Sequence, residues 1–316
     1  MLNYIKSNML INRPGAIIIF LLLSCSCSSG HKEISTDDRY YLNFDSAAHL
    51  HSYLNDTIRN SHRINLLSAH RGGAGKELPE NSLETFENTL KYTYSIIEVD
   101  PRYSKDSVIV LHHDKTLDRT TTGTGLVSDY TYEELQKLFL RDIDGNVTPF
   151  KIPTLEEALK WAKGKSVLVL DKKDVSVEDR LRAVEECDAE ANAIIMAYTF
   201  EEARHCYAMN KDVMMQIFIN NQDKVLEFDN IGVPWKNVIV FVTHEIPESP
   251  ELFNMINSRG STCVVGTSRT LDKELMQHDD ENIAEIRSKY ESIHKMGAGI
   301  IETDVPINLS KLITTN

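Results

Sequence analysis

The stretch LLSAHRGGAGKELPEN, Leu66 to Asn81, with SIIEVDPRYSKDSVIVLHHD, Ser95 to Asp114, decides how the rest of the chain is read. Three short apolar runs each deliver charged or imidazole side chains as they end. Residues 64–69 lead into His70 and Arg71, Ile96 and Ile97 into Glu98 and Asp100, and residues 108–111 into His112, His113 and Asp114. Side chains alternate faces along a strand, so Glu98 and Asp100 point the same way. Two carboxylates converging on one side repel each other, and a bound cation is the simplest thing that would hold both ionised. The pair reads as a metal site.

Outward from this stretch the chain alternates apolar runs with helical segments. Strands are expected at 64–69, 95–99, 167–170, 193–197, 213–219, 238–242, 262–265 and 299–301, and residues 108–111 form a further one just after the second. The runs are continuous rather than alternating, which suits parallel strands covered on both faces. Helix starts are marked by Asn81 with Glu84, Thr154 with Glu157, Thr199 with Glu202, and Ser249-Pro250; Gly260 and Gly297 are stops. Eight strand–helix units in roughly 250 residues are what a TIM (β/α)8 barrel requires; a doubly wound open sheet is the competing arrangement. Residues 115–153, rich in Thr, Gly and Asp with one helix at 132–140, do not fit the repeat and read as a small insertion after the second strand.

The chain has 316 residues, 41% hydrophobic and 26% charged, enough for one large domain spanning 61–316. A formal net charge of −13 argues against nucleic acid as a partner, since phosphate backbones are bound by excess Lys and Arg. A small anionic substrate would need local help from a cation.

The first residues read as an address. Lys6 and Arg13 precede an apolar run from Ala16 to Leu23, too short for a bilayer, which needs about 20 residues, but suited to a signal-peptide core. The run ends Leu22-Leu23-Ser24-Cys25, similar to a bacterial lipoprotein box in which cleavage before Cys25 leaves a lipid-bearing cysteine. Residues 1–25 are then the signal peptide and 26–60 a polar tether and leading segment, giving an exported, membrane-anchored protein. Cys187, Cys206 and Cys263 have no CxxC spacing and are expected as buried free thiols.

HRG at His70, PEN at Pro79, ExD at Glu98 and HD at His113, followed by LDRTTTGTG from Leu117 to Gly125, resemble the signature of the glycerophosphodiester phosphodiesterase family. The resemblance continues through VLVLDKK at Val167 and GIIETDVP at Gly299, over about residues 64–310. It implies a barrel enzyme cleaving small-molecule glycerophosphodiesters to glycerol phosphate and an alcohol, with His70 and His113 as general acid and base. Histidine suits that role because its pKa of about 6.5 lets it give or take a proton near neutrality. His112 should face the other way and be structural.

By strand position Asp171 joins Glu98 and Asp100 as a third carboxylate at a strand's C-terminal end, where barrel active sites lie. An all-oxygen set favours one divalent cation, Ca2+ or Mg2+, over zinc. Lys173, two residues on, and Arg71, beside His70, are the candidates for contacting phosphate oxygens. Two departures from the family stand out. Asp171 stands where the family has Glu in Glu-x-Lys, and Val264-Val265-Gly266-Thr267 lacks the tryptophan often found near its substrate. The alternative substrates are a lysophospholipid or another phosphodiester, and the alternative class is a head-group-binding protein without turnover.

Overall fold

The computed structural model describes residues 39–64, 66–277 and 282–314. Residues 1–38, with the apolar run and Cys25, lie outside the described residues. In chain order the strands are β1 (Leu66–Ala69), β2 (Ser95–Val99), β3 (Pro101–Tyr103), β4 (Ile109–Leu111), β5 (Leu168–Leu170), β6 (Ala193–Ala197), β7 (Met214–Phe218), β8 (Val238–Thr243), β9 (Thr262–Gly266) and β10 (Ala298–Thr303). All but β3 and β4 close into a parallel barrel in the order β1-β10-β9-β8-β7-β6-β5-β2, with helices between successive strands. This is the TIM barrel expected from the eight apolar runs.

The runs are continuous because each strand is buried on both faces. Leu67, Ile97, Leu170, Ile195, Ile217 and Ile301 join the outer cluster that packs under Phe86, Leu159, Leu181, Phe228 and Tyr290 of the helices. Leu66, Ile96, Val169, Ile194, Met214, Ile239, Val264 and Ile300 fill the barrel interior. This alternation sets the phase of every strand end: Ser68, Glu98, Asp171 and Glu302 follow inward residues by two and therefore enter the barrel.

The first part of the leading segment, expected as a tether, lies outside the described residues. From Arg39 onward it belongs to the barrel, whose N-terminal end is closed by Leu42, Phe44, Leu50, Leu54 and Ile58 packed on the interior cluster. The helix Ala47–Ser52 runs straight into a wider π-helical turn, Tyr53–Ile58, which explains its weak rhythm in the sequence. Asn55 fastens it, donating to Lys236 O and Val238 O at 3.1 and 3.2 Å and accepting from Thr262 N at 2.9 Å. Burying each such leucine contributes roughly 1.5–3 kcal/mol.

The insertion lies after β2 as expected. β3 and β4 pair antiparallel as a separate hairpin, and Val110, Leu117, Val127, Leu135, Leu140 and Ile152 form a small core of their own. Its helix is shorter than the expected 132–140. Tyr132–Leu135 begins at a Thr131–Glu134 capping box, but Leu140 is drawn into backbone pairing with Phe150 and Thr148. Cys187, Cys206 and Cys263 are buried free thiols. Among the described residues no helix is long and apolar enough to cross a membrane.

Candidate active site

Three features shape the turn that leaves β1. Gly72 has φ +88°, and a Cβ there would meet Phe86 Cδ1 at 2.3 Å, so glycine lets the chain fold onto helix Leu83–Thr89. Arg71, itself at φ 52°, points its backbone N–H at Glu98 Oε2, 2.9 Å away. His70 Nδ1 then lies 2.6 Å from Asp304 Oδ1, and Nε2 lies 3.9 Å from Glu98 Oε2. Burial works against a charged His70, but the Asp304 hydrogen bond with the charges of Glu98 and Glu302 outweighs it and raises the imidazole to about 10.

Glu98, Asp100 and Asp171, all buried, offer carboxylate oxygens within 4.8 Å of one another. Burial, then the charge of Asp100, pushes Glu98 well above the ordinary carboxylate range, with His70 pulling the other way. Lys173 Nζ lies 2.9 Å from Asp100 Oδ1 and also binds Asp171 Oδ2. Despite burial, this ammonium, the Tyr198 hydroxyl and the Lys172 N–H hold Asp171 below its usual range. The shared direction of Asp171 and Lys173 comes from a turn, not from strand alternation: β5 ends at Leu170 and Lys173 has φ 37°. Three hard oxygen donors whose mutual repulsion one ammonium only partly offsets fit a divalent cation. The shorter Asp171 is therefore no obstacle to its joining the set.

Asn81, expected as a helix cap, has another task. Ser82 caps Leu83–Thr89, while Asn81, at φ 57°, donates to Asp100 Oδ2 at 2.6 Å and accepts from Asp100 N at 3.0 Å. This fixes the carboxylate that follows β2. Arg71, the candidate for contacting a phosphate oxygen, holds Glu80 through Nη1 at 3.1 and 3.3 Å, and its Nε lies 3.7 Å from Asp100 Oδ2.

The second histidine is held in the same way as the first. His113 Nδ1 lies 2.7 Å from Asp114 Oδ1, and Arg102 binds the His113 carbonyl at 2.8 Å. Arg119 grips Asp114 and Glu80 together, so Glu80 connects the His113 arm with Arg71. His112 is buried, with Nε2 2.9 Å from Thr116 O, in the structural place expected of it.

Several residues of the mouth were not legible as such. Tyr198 after β6 binds Asp171 and stacks on Phe218, which leads to Phe241 and His244. Arg180, fully buried, ties β5 to β6 by donating to Leu170 O and Met196 O, both at 2.9 Å. Glu302 at the end of β10 is 5% exposed, and burial pushes it up to about 7 against the pull of His70. The inward phase of Ile300 could have found Glu302; the others depend on contacts between distant segments.

The model of the glycerophosphoryl diester phosphodiesterase family matches residues 70–281, and the chain belongs to that family. A glycerophosphoryl diester phosphodiesterase structure from Parabacteroides distasonis is similar at 41% identity, covering 87% of this chain and 93% of that one, with a TM-score of 0.80. The glycerophosphodiester phosphodiesterase of Caldanaerobacter subterraneus is 34% identical over 151 residues, which are 44% of this chain and 60% of that relative's length. The chain thus spans less than two thirds of this curated relative. An Oleispira antarctica phosphodiesterase, in complex with the product sn-glycerol-3-phosphate, shares the fold at 19% identity and a TM-score of 0.57, over 80% of this chain and 98% of that one.

The Arg119 grip generates a pH prediction. The hydrogen bond from Arg119, opposed by burial and aided by His113, holds Asp114 well below the usual carboxylate range. A depressed folded value means the grip stabilises above the unfolded pKa of about 4 and is lost as pH falls further. Wild-type melting temperature is expected to drop steeply below about pH 4, and Arg119→Met to show a shallower drop over the same range. Parallel acid limbs in the two proteins would rule Arg119 out as the source.

Proposed function

We propose that this protein is a cation-dependent phosphodiesterase that cleaves glycerophosphodiesters to glycerol phosphate and an alcohol. The observation that carries the reading is the meeting, at one barrel mouth, of three buried carboxylates with two histidines each anchored through Nδ1 to an aspartate. Family membership, the similarity to the Parabacteroides enzyme and the product complex of the Oleispira protein support the same reaction. A Ca2+ or Mg2+ held by Glu98, Asp100 and Asp171 would neutralise phosphate oxygens and the charge that grows on them in the transition state.

The protein's own groups do the rest. Anchoring Nδ1 leaves Nε2 of His70 and of His113 as the atoms that exchange protons. Nε2 of one histidine takes the proton of the attacking hydroxyl, and Nε2 of the other delivers one to the departing alkoxide. Lys173 adds positive charge between Asp100 and Asp171, where the phosphate would approach the cation. Arg71 fixes Glu98 through its backbone N–H, and its guanidinium, held by Glu80 beside Asp100, would contact a phosphate oxygen of the substrate. Each aspartate bond fixes one ring nitrogen and leaves the other for proton exchange.

With glycerophosphocholine as substrate, His70→Ala and His113→Ala are each expected to lower kcat on the order of 10^2–10^4-fold. The double variant should be little worse than the poorer single one, because groups that act as a unit are not additive. His112→Ala, removing a bond to Thr116 O away from the proton path, should be milder. A fully active His113→Ala enzyme would sink the assignment.

We also propose that the protein is exported and carries lipid on Cys25, from the apolar run that ends there. Cys25→Ala should move the protein from the membrane to the soluble fraction or leave its signal segment uncleaved. Undisturbed membrane association and processing in that variant would contradict the anchor.

A further inference from the structure

Beyond its charge acting on His70, Glu302 has no part in the roles given above, although it enters the barrel mouth. Ile300 lies in the interior cluster and Ile301 in the outer one, so alternation turns Glu302 inward. In register it stands between Ser68 of β1 and Gly266 of β9. Ser68 brings only a hydroxyl, and the direction a Gly266 Cβ would take is occupied by the rings of His244 and Phe241. Among the described residues the Glu302 carboxylate accepts one hydrogen bond, from Ser68 Oγ at 3.5 Å, the limit for such a contact. It also falls outside the set of carboxylates whose oxygens lie within 4.8 Å of one another.

A carboxylate buried to this degree and so weakly served is costly to keep, which points to a partner that arrives with the substrate. Phosphate is disfavoured by like charge, and Glu302 is not among the carboxylates whose oxygens converge on one point where a cation would sit. A substrate hydroxyl remains: it donates a proton, needs an acceptor in a dry site, and carries no charge to repel. The two oxygens of one carboxylate also match the adjacent hydroxyls of a diol.

We propose that Glu302 is the hydroxyl-binding residue of this site, receiving the hydroxyls of the substrate's glycerol residue and so selecting a polyol diester over one without hydroxyls. The identity of the polyol as glycerol rests on the proposed reaction; the preference for a hydroxyl does not.

Calorimetric titration with glycerol 3-phosphate and with methyl phosphate reads this contact without turnover, because both carry the phosphate and only the first carries hydroxyls. Wild type is expected to bind glycerol 3-phosphate on the order of 10-fold to 100-fold tighter than methyl phosphate, the range of a hydrogen bond to a charged group. The gap should close in Glu302→Ala and persist in part in Glu302→Gln, whose amide oxygen still accepts. The ratio of kcat/KM for glycerophosphocholine over a hydroxyl-free diester such as methyl 4-nitrophenyl phosphate should narrow in the same order.

Equal weakening of both ligands, or an unchanged gap in Glu302→Ala, overturns the proposal. So does a Glu302→Gln protein that has lost divalent-cation binding, since that would make Glu302 a fourth ligand. A wild type that shows no gap refutes the contact even should both variants fail to fold. A gap that closes in Glu302→Ala, in a protein that cleaves no glycerophosphodiester, refutes the reaction and upholds the contact.

Discussion

The mutual repulsion of Glu98, Asp100 and Asp171, whose oxygens lie within 4.8 Å of one another in a buried site, is the constraint from which the rest of the mouth follows. Carboxylates so close cannot all stay ionised without positive charge among them. The protein supplies part of it through Lys173, placed at an otherwise disfavoured positive φ so that its ammonium reaches two of the three. The pressure that remains shows in Glu98, driven upward by burial and by Asp100. A divalent cation would relieve it, and the same charge would draw a phosphodiester to a protein whose formal net charge is −13.

Everything around the triad serves to hold its members still. Asn81 clamps Asp100, the Arg71 N–H fixes Glu98, and Tyr198 with Lys172 N orients Asp171. The histidines sit on opposite arms of this frame, one at the end of β1 and one after β4. Each is tied by Nδ1 to an aspartate. The Glu80–Arg119–Asp114 grip joins the two arms, so that a disturbance of the insertion would be felt at both.

The barrel was legible because its strands are buried on both faces, and burial on both faces writes a continuous apolar run. The triad was legible because Glu98 and Asp100 are two apart, and because the end of each barrel strand is where active sites lie. What escaped the sequence depends on contact between distant segments. His70 and Asp304 are 234 positions apart, and nothing local announces their pairing. Asn81 has the spacing of a cap, yet the neighbouring Ser82 takes that place and frees it for Asp100. The segment from Arg39 to Asn60 shows only a weak helical rhythm because a π-helical turn breaks the period that would have shown its buried face. Glu302 hides in the apolar run of β10, where only the inward phase of Ile300 separates a site residue from a solvated strand end.

Direct titration of the chelated protein with Ca2+ and with Mg2+, followed by calorimetry, tests the central claim about the triad without reference to any substrate. One ion per chain is expected, with binding lost or greatly weakened in Glu98→Gln and Asp100→Asn and weakened in Asp171→Asn. A protein that binds neither ion, or binds one with the same affinity in all three variants, would contradict it.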